Sequence, residues 1–115
     1  AERSGSGGSH WALLALRRQS SGSILAEYYD SIGTSNLAQA ERLARKLLPA
    51  FGGSGQERVS VCKAGKQDNQ SDCGVFTLLF AEALARDSDP SQLAAADATK
   101  QRRRMREAVA GLAKR

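Results

Sequence analysis

The block Cys73-Gly-Val-Phe-Thr-Leu-Leu-Phe-Ala-Glu-Ala-Leu-Ala-Arg86 constrains this chain more than any other stretch. Its density of Phe and Leu predicts a helix buried on most of its sides, because apolar residues fall all around a 3.6-residue turn. A polar loop, Lys63 to Asp72, leads into it, and Asp87-Ser-Asp-Pro90 ends it. Thr77 and Glu82 break the apolar run well short of the roughly 18 residues that a membrane span needs. With 115 residues, of which 41% are apolar and 25% charged, the rest of the chain suffices for one domain around this helix.

Short strands and flanking helices complete the pattern. Residues 1–9, AERSGSGGS, carry no periodicity and read as a flexible Gly/Ser-rich segment. Trp11 to Leu16 suits a buried strand, RRQSSGS a turn, and Ile24 to Tyr29 a second strand. This hairpin sets His10 before one strand and Asp30 after its antiparallel neighbour, at the same sheet edge. A helix is predicted over Leu37 to Phe51, opened by an Asn36–Gln39 capping box, weakened by Pro49 and ended by Gly52-Gly53. Its buried stripe is Leu37, Ala40, Leu43, Ala44, Leu47, Leu48 and Phe51. Glu57 to Cys62 alternates as a third strand with Val59 and Val61 on one face. A last amphipathic helix, Ala98 to Ala113, turns Met105, Ala108, Val109 and Leu112 inward. The predicted fold class is α+β.

The net charge of +5 belongs to one segment. Lys100, Arg102, Arg103, Arg104, Arg106, Lys114 and Arg115 face a single acid, Glu107, so the remainder of the chain is nearly neutral. Without aromatics or a known module beside these arginines, a solvated helix face fits better than a nucleic-acid site. Two cysteines, Cys62 and Cys73, are too few for a disulfide scaffold and lack metal-ligand spacing. No charged-then-apolar leader opens the chain. A reducing compartment, cytoplasmic and/or nuclear, is expected.

The chemistry rests on the positions of a few residues. Cys73 opens a helix, where backbone N–H groups and the dipole favour a thiolate, and the polar loop before it is expected to hold it near solvent. Cys62 sits inside a strand and reads as core. His10 is the sole histidine. A reactive cysteine needs a base in hydrogen-bond reach, and the base needs an acceptor on its other nitrogen. Cys73, His10 and Asp30 would form such a triad if the helix start reaches the sheet edge. Asp72 suits a helix cap, and Tyr28, Tyr29, Phe76 and Phe80 are most simply core.

Gly7-Gly-Ser-His10-Trp11, Tyr29-Asp30-Ser31, and Gln67 set six residues before Cys73 in Asp72-Cys73-Gly74 resemble the Ulp/SENP family of cysteine proteases. Those enzymes release ubiquitin-like modifiers from precursors and conjugates. The resemblance spans about residues 7–115 and covers the C-terminal half of such a domain, so residues 1–115 are read as a single partial protease domain. It implies a papain-like fold with a small antiparallel sheet against the Cys-bearing helix. It implies His10 as base, Asp30 orienting it, Cys73 as nucleophile and Gln67 in the oxyanion hole. Trp11 would wall the channel for the modifier's Gly-Gly tail. The entry motif, the Tyr-Asp-Ser turn and the Leu112-Ala-Lys-Arg115 ending are most similar to the deneddylase branch, which implies a Nedd-type modifier as partner. A SUMO-directed protease of the same family, and a module that binds a ubiquitin-like partner with little catalysis, are the alternatives. No metal, cofactor or membrane is implied.

Overall fold

A computed structural model describes residues 10–54, 58–69 and 72–113 of the chain. The Gly/Ser-rich segment expected over residues 1–9 lies outside the described residues. The elements in order are β1 (Leu13–Arg18), β2 (Ile24–Tyr29), α1 (Leu37–Leu47), β3 (Val59–Val61), α2 (Cys73–Ala85) and α3 (Ala95–Ala113). Short 3-10 turns occupy Leu48–Phe51 and Pro90–Gln92. The architecture is α+β, as the sequence predicts.

Strand alternation assigns each helix to one face of the sheet. Leu13, Ala15 and Tyr29 pack toward Val75, Phe76, Leu79 and Phe80 of α2. Leu14, Leu16, Ile24 and Ala26 pack toward Ala44 of α1 and Leu48 beyond it. The three-stranded sheet is thus covered by α2 on one side and α1 on the other. Phe80 anchors the α2 side, with its ring 6.1 Å from Tyr29 and 5.9 Å from Phe76, both tilted.

The sheet corrects one expectation. β1 and β2 form the antiparallel hairpin, with Leu13 opposite Tyr29 and Arg18 opposite Ile24. β3, however, runs parallel to β2, pairing Ala26 with Val59 and Tyr28 with Val61. The sheet is mixed because α1 carries the chain back between β2 and β3, and such a crossover returns it in the same direction. Cys62 then lies just past β3 rather than inside a strand. It is half-buried, with its N–H donating to the Tyr28 carbonyl at 2.9 Å.

Local chemistry also differs at the helix ends. α1 stops at Leu47, and Pro49 tightens the remainder into a 3-10 turn that Gly52 closes at φ 94°, a left-handed angle suited to glycine. Neither Asn36 nor Asp72 caps its helix through the side chain. Asp72 instead accepts bonds from Asn69 Nδ2 at 2.9 Å and Arg102 Nε at 2.5 Å, tying the start of α2 to α3.

α3 is the larger departure. Its first turn seats Ala98 in the core, but Met105, Val109 and Leu112 are exposed, Val109 at 65%. The helical period was legible, yet no described residue covers that face. Phe76→Ala should therefore lower stability by about 3–5 kcal/mol, whereas Val109→Ala should change it by less than about 0.5 kcal/mol. Urea denaturation of both variants measures this, and a large Val109 effect would show the face covered in solution.

The Asp72 tie predicts a pH dependence. The Asn69 bond holds its carboxyl below the ordinary carboxylate range; burial opposes this, and Arg102 adds to the lowering. A carboxyl that is harder to protonate when folded stabilises the protein above its unfolded pKa of about 3.9, and the contribution is lost as pH falls through the folded value. Asp72→Asn should lower the urea midpoint at pH 6 and flatten its fall between about pH 5 and 3. An unchanged acid slope would remove Asp72 from the tie.

Candidate active site

The register that pairs Leu13 with Tyr29 also sets what lies beyond the strand ends. His10 enters β1 and Asp30 leaves β2 at that same end, and His10 Nε2 lies 2.7 Å from Asp30 Oδ1. The Asp30 side chain is nearly inaccessible, at 2% exposure. Ile32 and Gly33 donate backbone N–H groups to its Oδ1 at 2.9 and 3.2 Å, and the Tyr28 hydroxyl donates to Oδ2 at 2.5 Å. Burial alone would push this carboxyl up. The bonds from Tyr28, Ile32, His10 and Gly33 together outweigh it and hold Asp30 below the ordinary range. An ionised Asp30 only accepts, so Nε2 of a neutral His10 carries the proton and Nδ1 keeps its lone pair.

Cys73 is the first residue of α2. It is 5% exposed, not held near solvent as its polar approach suggested, because the turn it begins also carries core residues Val75 and Phe76. Thr77 donates its hydroxyl to the Cys73 carbonyl at 2.9 Å. The exposed Trp11 indole brings the strand entry to the helix start: its Cδ1 lies 3.7 Å from where a Cβ on Gly74 would sit. His10-Trp11 and Cys73-Gly74 are therefore neighbouring dipeptides. Cys62, by contrast, has its thiol pushed up by burial, which its bond with Tyr29 only partly offsets.

Gln67 shares an open cavity of about 670 Å³ with His10, Ser31 and Lys66. Its backbone N–H donates to the Ser31 carbonyl at 3.1 Å, and its Oε1 accepts from the Ser31 hydroxyl. Its Nε2 donates to the Asn69 carbonyl at 2.6 Å. The approach to Gln67 is fixed at Gly65, whose N–H donates to the Pro90 carbonyl at 2.9 Å. A Cβ there would lie 2.1 Å from the Leu93 carbonyl oxygen, so only glycine fits.

Four contributors escape a reading by residue type. Tyr28 reads as core, yet its hydroxyl reaches Asp30; two residues apart, they share a strand face, and that period was the available signal. Asn36 reads as a cap but sends Nδ2–H to the His10 carbonyl at 3.0 Å. Ser31 and Gly65 act through tertiary contacts that no local pattern announces. An imidazole oriented by a carboxylate, a thiol at a helix start and a nearby amide are the groups that acyl transfer through a thioester uses.

Comparison with known proteins gives relatives named for proteolysis and a family model named for acetyl transfer. The chain is 33% identical to sentrin-specific protease 8 of Mus musculus over 117 aligned positions, covering 95% of this chain and 52% of that protein. The Rattus norvegicus protein of the same name gives the same figures, and the Homo sapiens one is 35% identical over 68% of this chain and 36% of its own length. The chain thus spans about half the length of the curated relatives it matches. A family model described as YopJ serine/threonine acetyltransferase matches residues 2–114. Homologous to sentrin-specific protease 8 along nearly all its length, the chain belongs to the YopJ serine/threonine acetyltransferase family.

Proposed function

We propose that this chain carries the catalytic half of a papain-like cysteine peptidase that removes a ubiquitin-like modifier, of Nedd type, after its C-terminal Gly-Gly. The His10–Asp30 pair at 2.7 Å, one residue from Trp11, whose indole approaches Gly74 beside Cys73, carries this reading. The similarity to sentrin-specific protease 8 supports the substrate class. SUMO is the alternative modifier, since the triad chemistry is common to both.

The steps follow from the groups present. His10 Nδ1 takes the Cys73 proton, and the thiolate attacks the carbonyl of the modifier's terminal glycine. The Gln67 amide and the Cys73 backbone N–H steady the oxyanion. His10 returns the proton to the leaving lysine amine, which departs and leaves a thioester on Cys73. Water, deprotonated by His10, attacks the thioester and frees the modifier and the thiol. Asp30 keeps the imidazole in the tautomer that each transfer requires.

A second reading follows from the family match over residues 2–114. An acetyl thioester at Cys73 could pass its acetyl group to a serine or threonine hydroxyl in place of water. The thioester chemistry is shared, and donor and acceptor differ.

An electrophilic probe built on a Nedd-type C-terminus should label Cys73 and spare Cys62, whose thiol is held up by burial. Intact mass of Cys73→Ala and Cys62→Ala variants decides it, and labelling that survives Cys73→Ala would end the proposal. Acetylation of Cys73 by an acetyl thioester donor, with no labelling by modifier probes, would favour the second reading. Gln67→Ala should lower kcat by roughly 10²–10³ with little change in KM, the loss expected for one oxyanion donor. A drop below about fivefold would return Gln67 to a loop-shaping role with Ser31.

A further inference from the structure

We propose that Tyr28 and Asn36 are positioning residues that lock the His10–Asp30 pair in a closed hydrogen-bonded circuit; their catalytic relevance rests on the reading above, their geometry does not. The circuit can be followed atom by atom. His10 Nε2–H donates to Asp30 Oδ1 at 2.7 Å. The Tyr28 hydroxyl donates to Asp30 Oδ2 at 2.5 Å. The Tyr28 hydroxyl oxygen in turn accepts the Asn36 backbone N–H at 3.2 Å. Asn36 Nδ2–H then donates to the His10 carbonyl at 3.0 Å and closes the loop.

Each link removes a freedom that the others leave. The Asp30 bond sets the ring tautomer, but an imidazole can still swing with its backbone. The Asn36 bond holds that backbone. Tyr28 occupies the second carboxylate oxygen, so Asp30 cannot rotate to offer His10 its other face. Tyr28 is fixed in turn because its ring is almost wholly buried and its hydroxyl has one proton, committed to Asp30, and a lone pair, committed to Asn36. Burial first, then the Asp30 bond, push the phenol up, so it stays a donor across the working pH range. Among the described residues, Asp30 is also met by the Ile32 and Gly33 N–H groups on Oδ1 and by the Lys66 ammonium, 3.5 Å from its carbonyl.

The sequence makes the test clean, since His10 is the only histidine among 115 residues. In the full chain, the His10 Nε2–H proton should give a resolved nitrogen-coupled NMR resonance protected from solvent exchange. Tyr28→Phe keeps the buried ring and Asn36→Ala keeps the backbone donor, and each should broaden or abolish that resonance. Alkylation of Cys73 by iodoacetamide, followed by intact mass, reads the link to the thiol. Tyr28→Phe should slow it roughly tenfold, the scale of one hydrogen bond to a charged group. In an Asp30→Asn background the same change should slow it less than about twofold, because Tyr28 acts through Asp30.

The outcomes separate the two ideas. Loss of the resonance in both variants with unchanged alkylation supports the circuit and overturns the triad reading. An unchanged resonance in Tyr28→Phe and Asn36→Ala overturns the circuit, whatever the thiol does. An equal effect of Tyr28→Phe with and without Asp30 shows ordinary packing and overturns the positioning role. Should Tyr28→Phe unfold by circular dichroism, Asn36→Ala alone decides by the same resonance.

Discussion

A buried carboxylate organises this end of the molecule. Asp30 is charged and almost wholly withdrawn from water, a situation that is unfavourable by several kcal/mol unless the charge is met by donors. Four donors meet it, drawn from three local devices. The strand supplies Tyr28, the turn after it supplies the Ile32 and Gly33 N–H groups, and the facing strand entry supplies His10. The turn's shape, the hydroxyl of Tyr28 that also meets Asn36 before α1, and the placement of His10 all answer to one charge. Removing any single donor leaves that charge less satisfied, so the site resists piecemeal change.

The second anchor is mechanical. α2 presents a core face of Val75, Phe76, Leu79 and Phe80 to the sheet, and that burial fixes where its first residue stands. Cys73 is positioned by the same contacts that stabilise the fold. Its two neighbouring clasps, Asp72 to Arg102 and Gly65 against Leu93, tie the loop around Gln67 to α3 and to the turn before it. The thiol thus inherits its placement from packing, while the imidazole and the Gln67 amide inherit theirs from hydrogen bonds.

This division explains what the sequence could and could not reveal. The hairpin was legible because Ile24 to Tyr29 matches a strand period and turn residues bound it, and with it came the meeting of His10 and Asp30. α2 was legible from its Phe and Leu density. The direction of β3 was not, because three residues carry no record of their partner's polarity; the crossover through α1 decides it. The depth of Cys73 is hidden from the sequence for a related reason. The loop before it is polar, but exposure is set by what the helix packs against. The exposed Met105–Val109–Leu112 face shows the converse: periodicity states which residues share a side, not whether anything covers that side.

The two kinds of relative, named for proteolysis and for acetyl transfer, look discordant only at the level of products. Both reactions can proceed through a thioester on one cysteine, and they diverge in what reaches it next. A base that is held in one tautomer and one pose can deprotonate water or a hydroxyl equally well. On the proposed reading, the selection between them lies outside the His10–Asp30–Cys73 set, in what fills the cavity beside Gln67 and what Trp11 would admit toward Cys73. Lys66 stands at that cavity with its ammonium on the Asp30 carbonyl, and Ser31 with its hydroxyl on Gln67, so the walls are polar and already engaged. On the proposed reading the leaving lysine and the incoming acceptor share one approach to the acyl carbonyl, so the outcome turns on what is held there once the amine has departed.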